Sequence, residues 1–537
     1  MKRLKLLLGI LAMTVLLAGT VALFSPYAPV VQPVMDIEEI WAIEDERVES
    51  DVPLVTALEN HGMPLAYDAP SNTFYCTLGA DNGDEWPDVH LIAPGAKGVK
   101  LVFVDDYLYD SCADAIRDGY AYQMMAYTDD EFAYFDLVFT GMMQLTIEAW
   151  DEFSEQDIPV RVTISDHEEA LRTSARAHHR GGVTLHAEKK AFRIEFTKNE
   201  DGTGKTFAEV PQFGQVENLI LIPMLFDDTY MRDRLVWELY GLGRTQDQRY
   251  GARKRAYVEL IVNGEYQGLY LLMEPYTHET ELAKEGANTA GTSAVYRTGS
   301  VKADKDRPGK LGAYIEERGY ELHYEPAGMV QFAGIEDFIA LCKEEDDEAF
   351  ARRLPELVDV DSMIHYFLHI QAFALYDNVF NNMFVIADRE KGAYKVSFAP
   401  WDLDMSLGMP GHPYDMWVYF PPMDRALDLD VGGIRAKMLD MWKALRQSTL
   451  TAENVEKYIE QYMHELNDSG AVIREAERWG KESDYADGDG LMSFMADRLA
   501  LLDQVLADIA AAEGRLPMFT YSNYDNKYGA IALTQEE

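Results

Sequence analysis

Cysteine is scarce in this chain: Cys76, Cys112 and Cys342 are the only three in 537 residues. That is too few for a disulfide framework. Cys76 and Cys112 share one region and can pair, which leaves Cys342 free. No Cys or His spacing reads as a metal site, and the adjacent His178 and His179 cannot face one site from a regular element. Basic residues are also short. Lys and Arg number 48 against 92 Asp and Glu, for a formal net charge of −44. A surface this acidic repels nucleic acid phosphates and anionic headgroups. It repels nucleotides too, so a nucleotide site here needs local Lys or Arg and a divalent cation. Internal repeats and low-complexity tracts are missing, which excludes solenoids and fibrous classes.

What remains is a globular composition, 47% hydrophobic and 12% aromatic. Lys2, Arg3 and Lys5 precede an unbroken apolar run from Leu6 to Phe24. That is an export signal, long enough to span a bilayer at roughly 20 residues. It reads as either a cleaved signal peptide or an anchor, and both put the bulk of the chain outside the cytoplasm. Residues 26–50 read as a linker and 51–141 as a small β-rich domain of short aromatic and β-branched runs. Residues 142–325 stay strand-rich with one helix, capped by Asp228 or Thr229 and running to Tyr240. Asn263-Gly264 between two apolar runs predicts a tight hairpin. Residues 284–312 read as a mobile loop. Residues 326–515 are helical apart from one strand pair, and 516–537 form a tail.

Three segments carry chemistry. Asp377 and Asn382 have the Asp-x-x-x-x-Asn spacing of a kinase catalytic loop, where the Asp takes the acceptor proton and the Asn holds a metal. The His-Arg that usually precedes that Asp is absent. Downstream, Trp401-Asp402-Leu403-Asp404 with Gly408 ends a strand in two carboxylates, a donor set suited to magnesium. If the strand is regular there, both carboxylates share one face. Upstream, Lys189 and Lys190 open a strand in which Phe192, Ile194 and Phe196 alternate with polar residues. Parity puts Lys190 on the inward face and leaves Lys189 as the surface lysine.

Together these segments resemble the CotH kinase family of spore-coat and related exported proteins. The match rests on Arg180-Gly181 with Thr184, Lys189-Lys190, Asp228 with Arg232, and the hairpin Asn263-Gly264-Glu265-Tyr266 through Gly268 and Tyr270 to Glu274. Asp377 with Asn382, and Trp401-Asp402-Leu403-Asp404 with Gly408, complete it. The resemblance implies an α+β, atypical bilobal protein-kinase-like fold with a β-rich N-lobe and a helical C-lobe. It implies ATP, Mg2+ or Mn2+, and phosphotransfer to Ser or Thr of a coat or envelope protein. By position, Asp377 and Lys190 are the catalytic residues and Asn382, Asp402 and Asp404 the metal ligands. Lys189, Lys190 and Arg180 meet phosphate, while Met273 and Glu274 resemble a hinge against adenine. An inactive coat or envelope scaffold, and transfer of AMP or another group, are the competing expectations. Neither nucleic acid nor a membrane partner beyond the N-terminal segment is expected.

Overall fold

The computed structural model describes residues 34–78, 89–104, 111–243, 254–275, 293–298, 320–324, 333–379, 381–390, 393–409, 412–516 and 530–532. The apolar run Leu6–Phe24 lies outside these, and no helix among the described residues is long and apolar enough to cross a membrane.

The N-terminal part is built on a sheet in which Thr73–Thr77 and Glu131–Thr140 pair in parallel and Ala121–Tyr127 joins antiparallel. Its inner face buries Phe74, Tyr122, Leu137 and Phe139. The stretch read as a linker holds a helix, Ile37–Glu46, whose N-cap Asp36 accepts from the Glu38 amide. Ile40 and Ile43 bury against this sheet, so two apolar residues at helical spacing suffice to dock it. All three cysteines are free thiols, Cys76 and Cys112 buried and Cys342 half-buried. The Cys76–Cys112 pairing that the sequence allows is therefore not formed.

Seven strands close into a barrel: β1 (Gln144–Ala149), β2 (Ile158–Ser165), β3 (Ala170–Arg180), β4 (Ala191–Thr197), β5 (Asn218–Ile222), β6 (Arg255–Val262) and β7 (Glu265–Met273). Their order is β1-β2-β3-β4-β5-β7-β6, and a parallel β1–β6 pairing shuts the ring. The interior is lined by alternating residues such as Leu145, Val160, Val162, Ile194 and Phe196, all fully buried. Asn263 (φ 51°) and Gly264 (φ 74°) make the β6–β7 turn. Two consecutive left-handed residues are what the two-residue hairpin demands. A bulge interrupts β6–β7, with Leu260 opposite Gly268 and Ile261 opposite Tyr266.

Helix α1 (Arg232–Leu242) follows β5. Its N-cap is Met231, without a side-chain cap bond, and not the expected Asp228 or Thr229; Asp227 braces the turn before it. The Asp227 carboxylate accepts from the amides of Arg232 and Thr229 and pairs with the Arg232 guanidinium at 2.5 Å. Within the segment expected to be a mobile loop, Ser293–Thr298 forms strand β8, because Ala294, Val295 and Tyr296 are each buried to 1% exposure or less. It joins β9 (Tyr320–Tyr324), β10 (Met383–Glu390) and β11 (Ala393–Pro400) in the order β9-β8-β10-β11.

The rest is helical: α2 (Ala333–Cys342), α3 (Asp347–Leu357), α4 (Val360–Phe373), α5 (Pro421–Leu429), α6 (Ile434–Ser448), α7 (Ala452–Asp468), α8 (Ala471–Trp479) and α9 (Asp489–Ala511). Helix α4 is the centre of this core and is buried from Met363 to Phe373. Each large side chain buried there contributes on the order of 2 kcal/mol. Arg498 of α9 is fully buried and donates to the carbonyls of Gln371, Tyr414 and Met416, fastening α9 to α4.

Candidate active site

Helix α4 ends in left-handed Ala374 (φ 52°), and a single 3-10 turn, Tyr376–Asn378, presents Asp377. Its carboxylate is gripped at both oxygens. Asn381 Nδ2 donates to Oδ1 and Asn382 Nδ2 to Oδ2, each at 2.8 Å. Asn378 lies behind, donating from Nδ2 to the carbonyls of Asn382 and Trp401. The Trp401 amide in turn donates to the Asn382 carbonyl at 2.8 Å. The two motifs that flank β10 and β11 are thereby locked together.

The strand stops at Pro400, so Asp402 and Asp404 lie on a turn and not on the regular strand that the alternation implied. Asp402 has φ 59°. That is the left-handed region, which Asp tolerates better than most residues. The Leu403 amide donates to Asp233 Oδ2 at 2.8 Å. Gly408 (φ 74°) closes the turn, and a Cβ there would meet Phe494 at 2.5 Å. Both carboxyls are half-buried. Burial, then repulsion from Asp402 and Asp233, holds the Asp404 carboxyl well above the usual carboxylate range. Burial and Asp233 raise Asp402 as well, against the pull of Arg180 and Arg297.

Asp404 thus feels four other carboxylates, Asp402, Asp233, Asp227 and Asp377, but three of these are already used. Asp227 holds Arg232, Asp233 holds Arg255 and Leu403, and Asp377 holds its two asparagines. Asp402 and Asp404 are left as a repelling pair. Among the described residues no three Asp, Glu, His or Cys side chains make a metal site by themselves. The donor set nonetheless fits magnesium, which takes one or two carboxylates and completes its shell with amide, phosphate and water oxygens. Asp402 and Asp404, with Asn382 beside them, are the residues that would hold it.

Opposing charge comes from two arginines. Arg180 ends β3, and burial lowers its pKa to about 10 while Asp402 pulls the other way. Arg297 of β8 faces the same carboxyl, and its buried Nε has no hydrogen-bond partner among the described residues. The turn after Arg180 is tight. Thr184 Oγ1 donates to the Arg180 carbonyl, and a Cβ on Gly181 (φ 106°) would meet that hydroxyl oxygen at 2.0 Å.

The lysine parity comes out reversed. The strand begins at Ala191, so alternation does not extend back to Lys190. Lys189 is the enclosed one, 3% exposed, donating to Glu475 Oε1 at 2.7 Å and to the Leu269 carbonyl at 2.6 Å. Lys190 is half-buried, and among the described residues its Nζ donates to the Leu185 carbonyl alone, at 2.9 Å. Met273 and Glu274 differ from an open hinge. Met273 pairs with Ile220 and Arg255 on its two sides, and the Glu274 amide donates to the Lys254 carbonyl at 3.2 Å. The Met273 side chain is 1% exposed in the core shared with α4.

Sequence reasoning passed over Arg297, Asp233, Asn381 and Glu475. Asn381 was visible as the residue beside Asn382. Asp233 looked like any acid in a first helical turn, and Arg297 stood in a segment dominated by Gly, Lys and Asp.

The model of the family described as CotH kinase protein matches residues 177–502. The chain belongs to the CotH kinase family. The match begins within β3, three residues before Arg180, and ends in α9, so both acidic motifs, the lysine pair and the hairpin all fall inside it. The N-terminal sheet of this CotH family member lies outside the matched region. A search of the curated proteins finds no match.

Proposed function

We propose that this chain is an exported, ATP- and divalent-metal-dependent phosphotransferase acting on Ser or Thr of a coat or envelope protein. The observation that carries the reading is the fixed Asp377 carboxylate beside Asp402 and Asp404, which accept no hydrogen bond among the described residues, with Arg180 and Arg297 opposite. A metal at the acid pair supplies charge neutralisation for the nucleotide phosphates. Asp377 accepts the acceptor hydroxyl proton while the hydroxyl oxygen bonds to the terminal phosphorus, whose bond to the β-phosphate oxygen breaks and releases ADP. The two asparagine amides keep the Asp377 oxygens aimed during that transfer. Arg180, Arg297 and Lys190 supply positive charge that an acidic chain otherwise lacks. In kinase terms the barrel stands as N-lobe and the α4-centred helices as C-lobe. Export rests on the run Leu6–Phe24 after three basic residues.

The test is incubation of residues 30–537 with ATP labelled at the terminal phosphate, magnesium or manganese, and a Ser-rich acceptor. Label should enter the acceptor with wild type and vanish with Asp377→Asn, while calorimetry shows that the variant still binds metal–ATP. Label arriving only from the α-position would replace phosphorylation with AMP transfer. Undiminished turnover in Asp377→Asn would remove that residue from the catalytic role. A reporter fused after residue 30 that is active in the cytoplasm would overturn export.

A further inference from the structure

Helix α8 carries two consecutive buried charges that point to different parts of the molecule. Glu475, fully buried, accepts Lys189 Nζ at Oε1 and the Leu269 amide at Oε2, the latter at 2.8 Å. Lys481 Nζ stands 3.3 Å from the same carboxylate. Since Lys189 also donates to the Leu269 carbonyl, the Lys189–Glu475 pair satisfies both backbone groups of one residue in β7. The bulge at Gln267 and Gly268 prepares this contact. A Cβ on Gly268 (φ 87°) would stand 2.1 Å from Glu475 Oε2, so the glycine of the hairpin motif makes room for this carboxylate.

Arg474, one residue earlier, donates from Nε and Nη2 to the two oxygens of fully buried Glu259 in β6, at 2.7 and 3.0 Å. Arg474 Nη2 also donates to Thr140 Oγ1 at 2.7 Å. Thr140 is the last residue of the N-terminal sheet's strand Glu131–Thr140, and its hydroxyl donates to Glu259 at 2.9 Å. Gln144 and Tyr266 complete the node on Glu259. The N-terminal part also meets the start of α8 and the β6–β7 hairpin. A Cβ on Gly470, which precedes the helix, would meet the Ile116 carbonyl at 2.2 Å. The Ala69 amide donates to the Gly264 carbonyl, and the Tyr266 amide to Asp68.

On the other side, Lys189 is two residues before Ala191, which pairs in register with Arg180. The Tyr270 hydroxyl donates to the Lys190 carbonyl at 2.9 Å. The turn between Arg180 and Lys190 is therefore anchored to the barrel where Glu475 holds it, and Arg180 faces Asp402.

We propose that α8 is a positioning element, in which Arg474 seats the N-terminal sheet through Thr140 and Glu259, and Glu475 sets the Arg180–Lys190 turn through Lys189. The N-terminal sheet is then part of the phosphate-binding apparatus, although it lies outside the family match. This rests on the phosphotransferase reading for its ligand, but not for its geometry.

Two readouts separate the two. Hydrogen exchange of residues 181–190 in Thr140→Val and in Glu475→Gln needs no ligand, and should speed by ~10-fold or more against wild type while β2 keeps its protection. The Kd of metal–ATP should rise ~10-fold in Glu475→Gln and by a smaller factor in Thr140→Val, with kcat less affected than KM. Arg474→Lys, which retains the charge, should fall between wild type and Thr140→Val. If wild type binds no metal–ATP, the phosphotransferase reading fails, and the exchange data alone decide this one. Loss of melting temperature in Thr140→Val with unchanged exchange at residues 181–190 would overturn the inference and leave α8 as packing.

Discussion

The Leu403 amide donates to Asp233 Oδ2 at 2.8 Å, while Oδ1 of the same carboxylate accepts Arg255 Nε at 2.5 Å. One side chain on α1 thus holds the acidic turn and neutralises a buried guanidinium. Removing one partner of such a pair costs about 3–5 kcal/mol, because the other charge is left buried. Asp233→Asn keeps an acceptor for Leu403 but not the charge. Chemical denaturation should show a loss of that size, with metal affinity largely kept. Asp233→Ala should lose both stability and metal affinity. An Asn variant as stable as wild type would mean that Arg255 is held by other contacts.

The acidic pair gives a pH dependence with a definite sign. In the unfolded chain a carboxyl ionises near pH ~4. In the folded protein burial keeps Asp404, and in lesser degree Asp402, protonated to higher pH. The folded state therefore binds more protons, and the stability present below pH ~4 is lost as pH rises through the folded-state values. Without metal, the melting temperature should fall as pH rises above ~4. Saturating magnesium should restore most of the loss at the upper end and little at the lower. A magnesium effect that is equal at both ends would place the metal elsewhere.

Asp424 contributes to the same slope without belonging to the site. Burial pushes it up to about 8, against hydrogen bonds from Trp417 Nε1 and the Phe420 amide. Asp424→Asn should flatten the part of the pH profile that magnesium leaves untouched. If the slope survives in this variant, the acid pair accounts for all of it.

Lys190 tests the phosphate side. Among the described residues its Nζ makes a single hydrogen bond, to the Leu185 carbonyl, so Lys190→Ala should leave the melting temperature nearly unchanged. A charge-assisted contact to phosphate contributes about 1.5–3 kcal/mol, so metal–ATP affinity should fall roughly 10- to 100-fold in calorimetry. Unaltered affinity would shift the phosphate role to Arg180 and Arg297.

The local features of this chain were legible in its sequence. The Asn263-Gly264 turn, the alternation in β4, the helix before Asp377 and the β10–β11 pair each follow from residue type and period. What failed depended on chain ends of elements or on distant partners. Lys189 and Lys190 exchanged places because β4 starts one residue after them. The acid turn lost its regular geometry once the Leu403 amide bonded to a residue 170 positions away. Glu475 reaches Lys189 over a separation of 286, and no local pattern marks an acid on α8 as its counter-charge. Arg297 became visible only when β8 was seen paired to β10.

The three thiols carry a consequence of their own. Burial raises Cys76 and Cys342 to about 12 and Cys112 to about 11. The thiolate is the species that attacks disulfides, peroxides and electrophiles. Held as protonated thiols at physiological pH, these cysteines are poor substrates for oxidation and for exchange with glutathione. Folding itself is then what withholds these thiols from redox chemistry, and the same cysteines become ordinary reactive thiols wherever the chain is unfolded.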